Sequence, residues 1–372
     1  MGDPIYIWQG FQHRWLNHPH RVGALASFCD PRTGAVTQGF FPGQDGDNGT
    51  LATGVARLDP ADLAIEARLV ELTIEGFDTP NGRADRSWEA ELRGRAESVI
   101  EGIAEGHEVH AVLAGFGWFP TEGPKLAPRQ RRAFLTEGLA RVWPVELTLG
   151  LRVEAGAEAS QRRVVAEVSL THADAADILK KPRHVALWHE VRVAVLVLVA
   201  APTALVVEDC ACSWVGTTPT QQGPAVDTLD RAAPPGWQTI IGLQGMSLRI
   251  GDTARTPRGR YLHELAFRVK PKGASSIAPS SWEVRYGVRG NGSLSRRRPH
   301  RMEATVQLLE LATPATVAHG LDVRERQRVS TGLVLFTAPC PPPQPFHRIG
   351  WNQPTIFREG EAVTDLRASS FG

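Results

Sequence analysis

The run HVALWHEVRVAVLVLVAA, then Pro202-Thr203, then ALVVEDCACSWV occupies residues 184–215 and decides the fold class. From Val193 to Val207 the only polar side chain is that of Thr203. β-Branched residues dominate, and Pro-Thr interrupts them, so the pattern predicts two strands around a turn, an apolar hairpin. Over residues 185–193 the odd positions are apolar, His189 excepted, with Glu190 and Arg192 between them. That alternation belongs to a half-covered strand. Beyond Val193 both faces turn apolar, as in a strand covered on both sides. Such a hairpin must sit in a core, dock on a partner or enter a bilayer, because large apolar surfaces seldom stay bare. Val193, Val195, Leu196, Leu198 and Leu205 are its candidate interaction residues.

Working outward, short strand-like runs continue on both sides. Residues 5–15 and 21–29 form a first expected pair, and 161–171 answers 145–154 across an Ala/Gly/Glu turn. Asn-Gly pairs at Asn48, Asn81 and Asn291 suit tight turns, since both residues tolerate positive φ. Three helices are expected in the first half. Residues 85–105 set Trp88, Leu92, Val99 and Ile103 at helical spacing, 129–142 follow Pro128, and 173–181 end at Pro182. The expected class is mainly β, α+β at most, with two β-sandwich or barrel-like domains and helices inserted in the first.

Residues 216–236 hold Pro219, Pro224, Pro234 and Pro235 and read as a linker between domains at 1–215 and 237–372. The flanking halves resemble each other. Gly10-Phe11-Gln12 and Gly242-Leu243-Gln244 each follow a tryptophan-containing strand and precede a second strand, at 21–28 or 261–269. Further on, Glu66-Ala67 and Glu303-Ala304 each lead an aliphatic run. An internal duplication explains both.

With 372 residues, 42% hydrophobic content and a net charge of +1, the chain has globular composition and no global field that favours nucleic acid. Met1-Gly2-Asp3-Pro4 leads into a strand-like segment, so no signal-peptide route is expected; no run of eighteen apolar residues occurs, and Cys29, Cys210, Cys212 and Cys340 are too sparse for a disulfide scaffold. A reducing cytoplasm is the expected compartment.

Candidate chemistry is thin. His13, His18 and His20 crowd one turn, but zinc wants three or four ligands in fixed geometry, and no Cys or carboxylate lies near them in sequence. Asp45, Asp47 and Asn48 sit in a glycine-rich turn suited to calcium, yet the twelfth position of that loop is Ala56 rather than Glu. Cys210 and Cys212 share one strand face as small hydrophobes. The basic cluster Arg296, Arg297, Arg298 and Arg301 is the candidate anion-binding site, because guanidinium groups suit phosphate and carboxylate. Residues 339–345, rich in proline, are expected to be extended and stiff, either a ligand for a groove-type partner or, the favoured reading, a connection that lays Trp351 and Phe357 against the body. No hydrolase elbow, zinc-protease helix, phosphate loop or dinucleotide fingerprint occurs. No catalytic residue, metal or cofactor is assigned.

The expected function is a non-catalytic β-rich binding or assembly protein, with a protein partner or self-association and no nucleic acid. Two other readings stay open. One is a membrane-active or pore-forming protein that releases residues 193–207. The other is an enzyme with an apolar cavity inside a barrel.

Overall fold

The computed structural model describes residues 3–15, 25–40, 49–58, 64–78, 89–122, 142–174, 187–218, 225–230, 237–250, 262–271, 281–290, 300–314, 323–330, 351–353 and 367–369. Among them are nineteen strands and no helix. In chain order they are β1 (Ile5–Trp15), β2 (Leu25–Cys29), β3 (Val36–Phe40), β4 (Gly49–Leu58), β5 (Ile65–Asp78), β6 (Glu89–Ile100), β7 (Glu108–Glu122), β8 (Val142–Ala155) and β9 (Arg162–Asp174). Then follow β10 (Leu187–Ala200), β11 (Val206–Thr218), β12 (Ala225–Asp230), β13 (Trp237–Ile250), β14 (Leu262–Pro271), β15 (Ser281–Gly290), β16 (His300–Pro314), β17 (Val323–Ser330), β18 (Trp351–Gln353) and β19 (Arg367–Ser369).

All strand pairs are antiparallel. The first sheet runs β12-β15-β14-β1-β4-β17, the second β3-β2-β7-β10-β5, the third β6-β9-β8-β13-β16-β11. These orders are one order repeated. If six successive strands are lettered a to f, the repeats are β1–β6, β7–β12 and β13–β18, and each sheet reads f-c-b-a-d-e. In every sheet a and d come from one repeat, b, c and e from the repeat before it, and f from the one before that. Among the described residues the second sheet has no hydrogen-bonded f strand; β18, which the pattern puts there, lies against β3 and pairs with β19. β1, β7 and β13, the three a strands, touch one another although each belongs to a different sheet.

The repetition extends to local geometry. Each a strand carries a bulge: at Gln9-Gly10 in β1, Ala114 in β7 and Gln244 in β13. A bulge shifts the alternation of side chains by one position. Accordingly Tyr6 and Trp8 before the bulge share the larger core cluster with Phe11 after it. Ala111 and Leu113 do so with Phe116, and Ile241 and Leu243 with Met246. Phe11 and Phe116 stack with centroids 6.2 Å apart. Beside each bulge stands a glycine that meets the backbone of its b strand. A Cβ on Gly115 would lie 2.7 Å from the Ser27 carbonyl oxygen, and one on Gly245 2.9 Å from that of Leu149; on Gly10 it would overlap that of Phe267.

The smaller core cluster joins the sheets through their a and d strands: Ile5, Ile7 and Leu58 from the first, Val112, Leu196 and Leu198 from the second, Ile240, Leu309 and Leu311 from the third. The opposite faces of the same strands build the larger cluster. This explains the apolar run of β10. Val191, Val193, Val195, Val197 and Val199 point into one cluster, Ala194, Leu196, Leu198 and Ala200 into the other.

Several expectations are corrected. The apolar hairpin is not a hairpin: β10 pairs with β5 and β7, and β11 pairs with β16 in another sheet. Both edges of β10 are occupied, so the chain after the Pro202-Thr203 turn has no edge there to join. β1 and β2 do not pair with each other either. Residues 89–100, expected within a helix, form β6, whose exposure alternates with period two from Arg93 to Val99. Leu92 and Val99 lie at helical spacing by coincidence. Of the other expected helices, residues 129–141 and 175–181 lie outside the described residues. Each six-stranded sheet draws strands from both sides of 216–236, and β12 lies within that stretch. The duplication gives way to the threefold order. Gly10 corresponds to Gly115 and Gly245, not Gly242, and β16 corresponds to β4 and β10 rather than β5. The expected 145–154 with 161–171 hairpin is present as β8 and β9.

Candidate interaction pole

Polar side chains buried by the sheets are tied into the framework. Trp8 Nε1 donates to Ser27 Oγ at 3.0 Å, Ser27 Oγ lies 2.7 Å from Thr53 Oγ1, and Thr53 Oγ1 donates to Gln38 Oε1 at 2.6 Å. Since the Thr53 proton goes to Gln38, Ser27 donates to Thr53. The chain links β1 and β4 of the first sheet to β2 and β3 of the second. Thr53→Val would leave the Ser27 hydroxyl and the Gln38 carbonyl oxygen unsatisfied where water does not reach, so a stability loss of about 1–3 kcal/mol is expected in urea unfolding. An unchanged midpoint would show that this hydroxyl contributes nothing.

On β10 the Glu190 carboxylate accepts from Arg192 Nε. Burial pushes the Glu190 carboxyl up despite the opposing pull of Arg192, and it lowers the Arg192 guanidinium in turn. Elsewhere charges pair in solvent. Arg152, Arg163 and Arg95 share Glu154, and Arg152 also meets Glu167 at 2.7 Å across the outward face of β6, β8 and β9. Among the described residues no three His, Cys, Asp or Glu side chains come together to hold a metal.

Val193, Val195, Leu196, Leu198 and Leu205 are each no more than 2% exposed. Larger apolar exposure falls on the outer strands, at Leu69, Val99, Val206 and Val215. His13 is buried, while His18, His20, the Asp45–Asp47–Asn48 turn, residues 339–345 and Phe357 lie outside the described residues. Cys212 is buried and Cys210 partly so.

Antiparallel pairing sends the ends of all a, c and e strands and the starts of all b, d and f strands to one pole. Between β1 and β17, eight stretches of sequence connect strands whose ends meet there: 16–24, 41–48, 79–88, 123–141, 175–186, 219–224, 251–261 and 291–299. All lie outside the described residues; the described strands fix which ends they join. Together they hold 84 residues with 14 arginines and 3 lysines against 6 acidic residues, a net charge of +11. The eight segments that join strands at the opposite pole hold 53 residues with 3 basic and 7 acidic, a net charge of −4. The strands differ as well. Those of the first sheet carry 9 basic and 5 acidic residues, whereas those of the second sum to −5 and of the third to −4.

Arg296, Arg297 and Arg298 fall between β15 and β16 in sequence and lie outside the described residues. Arg301 is the second residue of β16, with its backbone opposite Thr217. The sequence reading singled out this cluster and missed its company: Arg129, Arg131 and Arg132 between β7 and β8, and Arg255, Arg258 and Arg260 between β13 and β14. Only the strand order shows that the strand ends flanking those stretches of sequence share one pole. Comparison with protein families, curated proteins and solved structures yields no match.

Proposed function

We propose that the protein is a non-catalytic binding or assembly protein that acts through exposed surfaces, with the basic pole as its contact face. One observation carries this reading. The same strand order recurs in three sheets, complete in two and without its f strand in the second, while the stretches of sequence between strands at that pole, from β1 to β17, range from 6 to 19 residues in length. A constant framework that presents variable connections at one end suits recognition, because binding residues concentrate on loops held by a rigid scaffold. Among the described residues no helix is long and apolar enough to cross a membrane, and Cys29, Cys210 and Cys212 are free thiols, which suits a reducing cytoplasm.

The test is a ligand panel of proteins, glycans, nucleic acids and lipid vesicles, offered to the intact chain and to two variants. One is Arg83→Glu/Arg86→Glu, between β5 and β6 at the basic pole. The other is Glu101→Lys/Glu105→Lys, at the opposite pole. The reading expects at least one ligand that the first variant loses and the second keeps. Turnover of a panel compound, or capture that depends only on Glu101 and Glu105, overturns it.

A further inference from the structure

Glu190 and Arg192 of β10 are a charged pair that the other two sheets do without. They share the strand face of Ala194, Leu196 and Leu198, and their side chains are only 7% and 14% exposed. The positions equivalent to Arg192 in the other d strands hold Ala52 of β4, opposite Gln12, and Thr305 of β16, opposite Ser247. Neither is charged, so the repeated framework closes without an ion at this place. A buried ion pair seldom adds stability over apolar residues of similar volume, so packing does not account for this one.

Its surroundings make it sensitive to protons. On the edge strand β5, Glu75 stands directly opposite Glu190 and Thr73 opposite Arg192, with Glu71 two residues further along the same face. One guanidinium therefore answers three carboxylates, Glu190, Glu71 and Glu75. On the other side β7 places Phe119 opposite Glu190 and Gly117 opposite Arg192. A Cβ on Gly117 would lie 2.6 Å from the Phe119 ring and 2.9 Å from the Phe28 ring of β2. These rings thus close over the face that Gly117 shares with Arg192, and at these positions neither β7 nor β2 brings a charge. Like charges directly opposite each other on neighbouring strands repel, and burial strengthens the repulsion.

We infer that Glu190, Glu75 and Arg192 form a proton-operated clasp between β10 and β5. In mild acid Glu190 takes a proton from solvent, its carboxyl becomes a donor to the Glu75 carboxylate, and the edge strand is fastened. At neutral pH both carboxylates are charged, Arg192 is shared between repelling neighbours, and this end of β5 opens more readily. Burial, opposed by Arg192 and aided by Glu75, holds the Glu190 carboxyl above its unfolded value. The folded state then binds the proton more tightly than the unfolded one. The clasp is complete below the unfolded pKa and is lost as pH rises through the folded one. It does not depend on the basic pole being a contact face.

Amide hydrogen exchange of the full-length chain tests it, read by mass spectrometry at about pH 5 and about pH 7.5 and corrected for the intrinsic pH dependence of exchange. Peptides covering β5 and the first half of β10 should be about tenfold better protected in acid, the response to a pKa raised by about one unit. Peptides from β4, which carries no acidic residue, should change by less than about twofold. Glu190→Gln has a neutral donor at both pH values, so it should keep the acid-like protection throughout. Should it fail to fold by circular dichroism, Glu75→Gln takes its place, and the response should shrink to about threefold or less. Equal protection of the wild type at both pH values overturns the inference, as does a Glu190→Gln protein that responds like the wild type. A β4 response as large as that of β5 would be general acid stabilisation and would overturn it too.

Discussion

Gly10→Ala is expected to lower stability by about 3–5 kcal/mol, a large share of what holds a typical domain folded. Gly10 adopts φ +89°, and an added Cβ would overlap the Phe267 carbonyl oxygen and lie 2.9 Å from its carbon and 3.0 Å from Arg268 Cα. All three obstacles are backbone, so no rotamer change relieves them; β1 and β14 must separate. Left-handed strain adds roughly 1 kcal/mol. Gly102→Ala is the control, because Gly102 has φ +69° with nothing within 4 Å of the added atom. It should show the strain alone, about 1 kcal/mol. Urea unfolding of both variants isolates the contribution of the close approach. Equal losses would show that β1 and β14 can part freely at this point. Gly115→Ala and Gly245→Ala meet the equivalent carbonyls of Ser27 and Leu149, so the penalty should recur in all three repeats.

The three glycines also show why the sequence carried the fold class better than the topology. Strand content was legible wherever alternation or β-branched runs occurred, and β8 with β9 was legible as a hairpin because its turn is local. The threefold order was not. Gly10-Phe11, Gly115-Phe116 and Gly245-Met246 are equivalent by bulge and register, but they share only the glycine and a large apolar neighbour. Gly242-Leu243-Gln244 looks more like Gly10-Phe11-Gln12 and lies three positions away from the true counterpart. The helical spacing of Leu92, Val99 and Ile103 misleads because it mixes positions of different kinds: Val99 faces solvent on β6, whereas Ile103 is buried beyond the end of that strand. The partner of β11 was unreadable, since β16 lies about ninety residues downstream. The basic pole was hidden for a related reason. Composition sums charge over the chain, and +11 at one pole nearly cancels −10 elsewhere. Arg296–Arg297–Arg298 stood out locally; the segments that join strands beside it did so only once the strand directions were known.

Leu196→Asp separates a core role from a presented one for the apolar run, and its expected effect is the loss of the native fold at neutral pH. Leu196 is fully buried, with its backbone between Val112 of β7 and Leu69 of β5, and its side chain lies in the cluster where the three sheets meet. A carboxylate there has no cationic partner within that cluster, whose members are all apolar. Removing the leucine volume alone, as in Leu196→Ala, costs about 2–5 kcal/mol and should leave a cooperative fold. Burying an unpaired charge adds several kcal/mol more, which exceeds the stability of an ordinary domain. The buried carboxyl would have its pKa raised above the unfolded value. The native state would then bind the proton more tightly than the unfolded one, so stability is recovered below the unfolded pKa and lost as pH rises through the folded one. Near-ultraviolet circular dichroism of the variant should therefore be flat at pH 7 and partly restored in mild acid, while Leu196→Ala stays folded at both. A Leu196→Asp protein as stable as wild type would mean that water reaches β10 in the resting molecule. The smaller cluster would then not hold the sheets together, and residues 193–207 would return as a contact surface.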